Sequence, residues 1–377
     1  MLGQFFTKNI SLQKKVYEFM LNNPDEILEP CVGRGDLVLY VKTKSPNIRF
    51  DMYEIDDKIN DFLIDKKQIK FCNFLTQNIT KKYKTIISNP PYVRTKKGNL
   101  YIDFIKKCCD LLDNKDQAIF IIPSDFFKLT CSSNLLTDML IKGTFTHIYH
   151  PHDETLFEGA TIDVIVFRYC KDPLLEKKVE YNDKTMYINN NNGFVTFTER
   201  QITNAKTIGD YFDVYVGFVT GRDDVFQHDM LGNINVLWSK NKIKKFILID
   251  KFPSSNKDIN DHLLKHKDVL IDRKIRKFND RNFFEWGALR NMEFVEKNKG
   301  KPCIYLRNMS RKDEVCFIDK INYFGPGLFM LCPKNESNVD LNKIVKYLNS
   351  KEFQQDFIYA NRFKIGNNQL SKSRIDI

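Results

Sequence analysis

Apolar residues at Leu12, Val16, Phe19 and Met20 recur three and four positions apart, which predicts a helix over 11–22. Glu26 to Cys31 (EILEPC) reads as a short strand that runs into a turn, Val32-Gly33-Arg34-Gly35-Asp36. A helix is expected from Leu37 to about Lys44, then a strand at 49–55 followed by a polar helix. Further strands are expected at 83–89, closed by two prolines, at 117–122, closed by Pro123, and near 144–150 and 162–169. Between them, 101–112 carries a helical stripe of Ile102, Ile105, Cys109 and Leu112, and 132–142 also reads as helix. Strand and helix in alternation predict a parallel sheet with right-handed crossovers, a doubly wound α/β domain.

The pattern breaks over 172–204, where Asn189 to Asn192 form a polar run followed by Gly193. A boundary near 205 is expected, with domains at 1–204 and 205–377. The second part shows short strands at 213–219, 233–238, 245–250, 303–307, 315–319 and 327–332, and helices near 258–266 and 340–358. That is a mixed α+β composition with no legible topology.

The chain has 377 residues, 42% of them hydrophobic and 28% charged, enough for two globular domains and too apolar for a disordered chain. No apolar run reaches the roughly 18 residues a membrane span needs, and the first residues lack a secretory pattern. An intracellular protein is expected. The nine cysteines contain no CxxC pair and read as buried reduced thiols. His147, His150 and His152 lack the partners of a metal site, so no metal is expected.

Charge separates the halves. Residues 1–204 hold 28 Lys/Arg against 26 Asp/Glu, whereas 205–377 hold 31 against 22. The excess in the second half points to a polyanionic partner. There Lys274, Arg276, Lys277 and Arg281 alternate with Phe278, Phe283, Phe284 and Trp286. Phosphate contacts need the first set and base contacts can use the second; a solvated basic surface is the plain alternative.

In an open α/β sheet a ligand lies beyond the carboxyl ends of the strands. The first strand ends in Glu29-Pro30-Cys31-Val32-Gly33-Arg34-Gly35, whose glycines let the backbone approach a ligand and enter a helix. The second ends in Glu54, placed where an acid can hold both ribose hydroxyls. Together they point to a nucleoside cofactor, with helix capping as the alternative for Glu54. The strand at 83–89 leads into Asn89-Pro90-Pro91-Tyr92. The prolines fix the backbone and remove two donors. The Pro90 carbonyl and the Asn89 side-chain oxygen are acceptors, and Tyr92 offers a flat face. Two acceptors and a plate suit a planar group bearing an NH₂; a stiffened loop with a core tyrosine is the alternative.

In the order of these motifs the chain resembles the gamma class of DNA adenine-N6 methyltransferases, the Taq type. The order runs Leu2-Gly3-Gln4-Phe5-Phe6-Thr7, the glycine turn, Tyr53-Glu54-Ile55-Asp56, Asn73-Phe74-Leu75, then Asn89 to Tyr92. The resemblance spans essentially all of 1–170, and Val219 to Phe226 resembles the entry to the class's recognition domain. Short chlorella-virus modification methylases are particularly similar. The resemblance implies a methyltransferase domain at 1–204, a smaller basic α+β target-recognition domain at 205–377, and S-adenosylmethionine as cofactor.

By match, Thr7 contacts the methionine carboxylate, and Glu29, Pro30 and Cys31 line the methionine part, with Gly33 and Gly35 in the turn. Glu54 takes the ribose hydroxyls. Phe74 packs near the adenine, as does Phe120, and Pro91 completes the cofactor set. Asn73 stands where the class usually has Asp and cannot supply a carboxylate's charge. Asn89 and the Pro90 carbonyl accept from the target amino group and favour a more pyramidal nitrogen. The adenine is flipped from the duplex and held between Tyr92 and Phe157, unless Phe157 is a core residue.

The resemblance further implies double-stranded DNA as partner, a monomer, a separate cognate endonuclease and TCGA as target, with no room upstream for a fused nuclease. Three other readings share parts of the site. They are a protein-glutamine methyltransferase, an RNA adenine methyltransferase, and a nucleic-acid-binding module without activity. A cytosine-C5 enzyme is disfavoured, because no Pro-Cys pair follows the strand at 83–89.

Overall fold

The computed structural model describes residues 5–96, 98–201, 206–334, 339–359 and 362–375. The boundary expected near 205 and the motif residues Leu2, Gly3 and Gln4 lie outside the described residues. Contacts group the chain into two compact units, Met1–Thr203 with Tyr359–Asn361 and Asn204–Ile358 with Arg362–Ile377.

The first unit is built on one ten-stranded sheet. Its strands are β1 (Glu26–Glu29), β2 (Arg49–Glu54), β3 (Ile69–Phe71), β4 (Thr85–Ser88), β5 (Gln117–Pro123), β6 (Thr144–Tyr149), β7 (Val164–Cys170), β8 (Lys178–Tyr181), β9 (Lys184–Asn191) and β10 (Phe194–Thr198). Their order is β10-β9-β8-β6-β7-β5-β4-β1-β2-β3. The run from β3 to β5 is parallel. β7 then enters antiparallel between β5 and β6. The sheet is therefore mixed rather than wholly parallel.

Helices α1 (Ile10–Glu18), α2 (Asp36–Lys44), α3 (Leu100–Asp110) and α4 (Ser133–Lys142) accompany it. The Asn9 side chain caps α1 by accepting from Ser11 and Leu12 N–H, and Leu12 and Val16 are fully buried. α1 ends before the expected 22, where Asn23 takes a left-handed φ of 45° ahead of Pro24. Along β5, Ala118, Phe120 and Ile122 enter one apolar cluster while Ile119 and Ile121 enter another. Burial on both faces explains its unbroken apolar sequence.

Two expectations fail here. No α-helix follows β2; the segment is turns and a 3-10 turn at Lys66–Gln68. Asp56 and Asp65 accept from the N–H groups two residues on, which competes with helix formation. The apparent break over 172–204 is instead β8, β9 and β10 of the same sheet. Asn182 and Asp183 both have positive φ (45° and 64°), as do Asn192 and Gly193 (49° and 78°). Each pair forms a two-residue hairpin loop of the type that matches strand twist. The Asn190 side chain accepts from Gly193 N–H at 2.7 Å, and a Cβ on Gly193 would come within 2.2 Å of the Ser133 carbonyl oxygen.

The second unit holds a four-stranded antiparallel sheet of Phe212–Val216, Leu328–Pro333, Pro302–Arg307 and Cys316–Lys320. A separate hairpin pairs Ile234–Ser239 with Lys242–Phe246. Around it, Phe218, Phe226, Phe246, Phe283, Phe284 and Trp286 form a second core. Arg273 organises this core although it is 6% exposed. Its guanidinium donates to the carbonyls of Leu270, Thr220, Glu285 and Phe283 at 2.6–2.9 Å and lies 3.7 Å from the Phe278 ring centroid. Replacing Arg273 with Met should strand these acceptors, each costing about 1–3 kcal/mol. The variant is expected to lose at least about 3 kcal/mol in urea unfolding, whereas Lys274→Met should stay within about 0.5 kcal/mol of the parent.

Candidate functional site

One pocket opens at the carboxyl ends of β1 to β4. Those ends supply Glu29 to Cys31, Glu54, Asn73 to Leu75, and Asn89 with Pro91. Phe5, Phe6 and Thr7 line it from the N-terminal segment. It lies where the strand order reverses, since β2 flanks β1 on one side and β4 on the other. Open α/β sheets bind ligands at that point.

Glu54 secures the turn after β1. One carboxylate oxygen accepts from Gly33 N–H at 2.8 Å, and the other accepts from Ile55 and Asp56 N–H at 2.9 Å each. The Gly33 side of the turn faces the pocket, at φ 56°. Gly35 does not line it: at φ 95° it starts α2, packed beneath the Ile64 side chain.

Glu29 is 1% exposed and accepts from Cys31 N–H at 3.3 Å. Burial holds its carboxyl well above the usual carboxylate range, against the opposing pull of the Cys31 N–H and the Ser88 hydroxyl. The Cys31 thiol, pushed up by the same burial, sits 3.0 Å from the Ser88 hydroxyl and donates to the Asn89 carbonyl at 3.4 Å. These contacts bind the ends of β1 and β4 together.

At the end of β4 the Asn89 amide has a defined polarity. Its Nδ2 donates to the Phe5 carbonyl at 2.7 Å and to the Thr7 hydroxyl at 2.9 Å. Its Oδ1 accepts from the Tyr92 hydroxyl at 2.6 Å. A carbonyl oxygen only accepts, so the Phe5 carbonyl determines which end of the amide is nitrogen. The Tyr92 hydroxyl also lies 3.0 Å from the Ile121 carbonyl.

Pro90 is buried and, like Tyr92 and Phe157, stands outside the pocket lining. Phe157, 3% exposed, packs edge-on to Tyr92 at 6.2 Å within the cluster of Ile87, Ile119 and Val164. The Phe5 ring touches both: it stacks on Tyr92 at 5.5 Å and 29° and lies 5.9 Å from Phe157.

Asn73 caps a 3-10 turn, Phe74–Thr76, with Oδ1 accepting from Leu75 N–H. Phe74 packs against Tyr53 and Phe104, and Lys107 donates to the carbonyls of Phe74 and Gln77. Phe120 corrects the sequence reading. It is wholly buried against Phe167 at 5.5 Å and does not line the pocket. The pocket therefore gathers Thr7, Glu29, Pro30, Cys31, Gly33, Glu54, Asn73, Phe74, Asn89 and Pro91. It adds Phe5, Phe6, Arg34, Asp36 and Leu75, to which the sequence reading gave no role. Arg34 was in plain view, between the two glycines.

The second unit brings a further correction. Phe278, Phe283, Phe284 and Trp286 are buried, so they are core residues rather than base-stacking plates. Lys274, Arg276, Lys277 and Arg281, in alternation with them, are exposed. Arg276 pairs with Glu285 at 2.6 Å. Among the described residues no helix is long and apolar enough to cross a membrane, and no cluster of metal-ligating side chains occurs.

The type IIL restriction–modification enzyme MmeI, solved in complex with DNA, has a TM-score of 0.61 to this chain at 10% identity. The match covers 97% of this chain and 63% of MmeI. The fold is the α/β fold of S-adenosylmethionine-dependent methyltransferases. Sequence narrows the likeness. The Eco57I restriction-modification methylase family matches residues 26–157. Type II methyltransferase M.HindII of Haemophilus influenzae is 24% identical over 447 residues, covering 93% of this chain and 83% of its own. M.CvrRI of Paramecium bursaria Chlorella virus XZ-6E is 29% identical over 186 residues, covering 44% of this chain and 47% of its own. The chain is similar to the type II restriction–modification methyltransferases. Fold and relatives imply S-adenosylmethionine as cofactor, and the lining fits it, with acids for a cationic centre and a guanidinium for a carboxylate.

Glu29 gives a pH prediction. Its folded pKa is raised above the unfolded value of about 4.3, so its contribution is fully present below that value and is lost as pH rises through the folded pKa. Glu29→Gln removes the titration. In denaturant unfolding at pH 5 and pH 8, the stability of the parent relative to Glu29→Gln should fall at the higher pH. A constant difference would refute the assignment.

Proposed function

We propose that the protein is a site-specific DNA adenine-N6 methyltransferase, the modification partner of a separate restriction endonuclease, with residues 205–377 engaging duplex DNA. The observation that carries this reading is the polarity of the Asn89 amide. With Nδ2 committed to the Phe5 carbonyl and Thr7, Oδ1 keeps a second lone pair beyond the one given to Tyr92. An acceptor at that point complements an exocyclic NH₂.

The cofactor, when bound, supplies an activated sulfonium methyl, so no protein nucleophile is needed. The protein's part is positioning and fixed dipoles. Asn89 Oδ1 and the Pro90 carbonyl draw on the amino hydrogens and lessen conjugation of the nitrogen lone pair with the ring. Tyr92 presents its face to the base and Phe157 its edge. In the substrate-free enzyme that face carries the Phe5 ring, which an entering base must displace.

Planar NH₂ groups also occur in cytosine and in glutamine, and the choice of adenine rests on the resemblance to the gamma class. The TCGA target has the same support. Exposed Lys274, Lys277 and Arg281 suit phosphate contacts, which would make binding strongly salt dependent.

Methyl transfer from labelled S-adenosylmethionine to duplex DNA, structured RNA and a protein extract tests the reading, with products identified by mass spectrometry. N6-methyladenine in duplex alone is expected. N4-methylcytosine, labelled RNA or labelled glutamine would overturn it. Asn89→Ala should lower kcat by at least about 100-fold and leave S-adenosylhomocysteine affinity within about threefold. Full activity in that variant would refute the mechanism.

A further inference from the structure

The pocket lining has an uneven charge. Its acidic side chains among the described residues are Glu29, which burial pushes toward its neutral form, Asp36 and Glu54, and its one basic side chain is Arg34. S-Adenosylmethionine carries cationic centres, which acids suit, and one carboxylate, which a basic side chain suits. A carboxylate in this pocket has a single lining cation to meet.

Arg34 is held where it can serve. Gly33 and Gly35, both at positive φ, force the tight turn that carries it, and its carbonyl accepts from Leu63 N–H at 2.7 Å. The side chain is 15% exposed. The Phe6 ring lies 5.9 Å from the guanidinium carbon. Nη1 pairs with Asp61 at 2.8 Å, but that carboxylate is 62% exposed and free to turn to water. Nε lies 3.5 Å from Asp36 without a hydrogen bond, and is a buried donor with no partner among the described residues. A buried N–H left unpaired is costly, and a ligand oxygen would satisfy it.

We propose that Arg34 receives the carboxylate of the cofactor's amino-acid end, a role separate from the hold that Thr7 and the Phe5 carbonyl exert on Asn89. This rests on the methyltransferase reading of the pocket. The rival account is that Arg34 only braces the turn through Asp36 and Asp61.

Calorimetric binding of two ligands to the full chain separates the accounts. One is S-adenosylhomocysteine. The other is its decarboxylated analogue, which keeps the nucleoside, thioether and ammonium. The parent should bind the first at least about tenfold more tightly, as a charge-assisted hydrogen bond predicts. Arg34→Met should abolish that preference by weakening S-adenosylhomocysteine alone, Arg34→Lys should restore part of it, and Asp61→Asn should leave it intact. Equal weakening of both ligands by Arg34→Met, or no weakening of either, would overturn the proposal. Equal weakening would point to the bracing role. Failure of the parent to bind either ligand would refute the cofactor reading itself, and the proposal with it.

Discussion

Three backbone N–H groups converge on the carboxylate of Glu54, and the pocket depends on that convergence. The contacts join the glycine turn after β1 to the end of β2, two segments that share no helix or hairpin. They hold Gly33 open to the pocket and fix the turn from which Arg34 projects. Glu54 is 5% exposed with three backbone donors on its carboxylate, and burial pushes Glu29, with one backbone donor, toward its neutral form. The two carboxyls share the same lining.

The N-terminal segment depends on this frame in turn. Its Phe5 carbonyl and Thr7 hydroxyl orient Asn89, and Gln13 Nε2 donates to the Thr7 carbonyl at 2.7 Å, tying the segment to α1. α1, β1 and β4 thus contribute to the alignment of one amide. A site assembled from strand ends and one strap is set by rigid elements rather than by a loop of its own.

Much of this was legible in the sequence because it is local. The strand at 117–122 carries an unbroken apolar run, those at 26–31, 49–55 and 83–89 hold shorter apolar stretches, and glycine, proline and acid positions mark their ends. What escaped has physical reasons. β3 spans three residues, too few to show a period, and Asn189 to Asn192 read as a linker although the first three belong to β9 and Asn192 with Gly193 closes its hairpin with β10. Phe120 was misplaced because alternation along a doubly buried strand does not say which face meets a ligand. In the second unit, alternating charge and aromatic residues gave the right periodicity and the wrong role for the rings. The aromatic positions turn inward around Arg273, whose four carbonyl partners come from residues 220–285 and leave no local signature.

The Phe5 ring on Tyr92 has an energetic consequence. A bare aromatic plate would be wetted in the free protein, and the whole gain of covering it would accrue to whatever planar group arrived. Here the plate is already covered by a ring of the same chain. An incoming ring exchanges one stack for another, so its net gain is the difference between two contacts of about 0.5–1.5 kcal/mol each. On the proposed reading, such a site would hold its guest weakly through stacking and would discriminate through hydrogen bonds. It would also give the guest up readily, because the Phe5 ring can return to the vacated face.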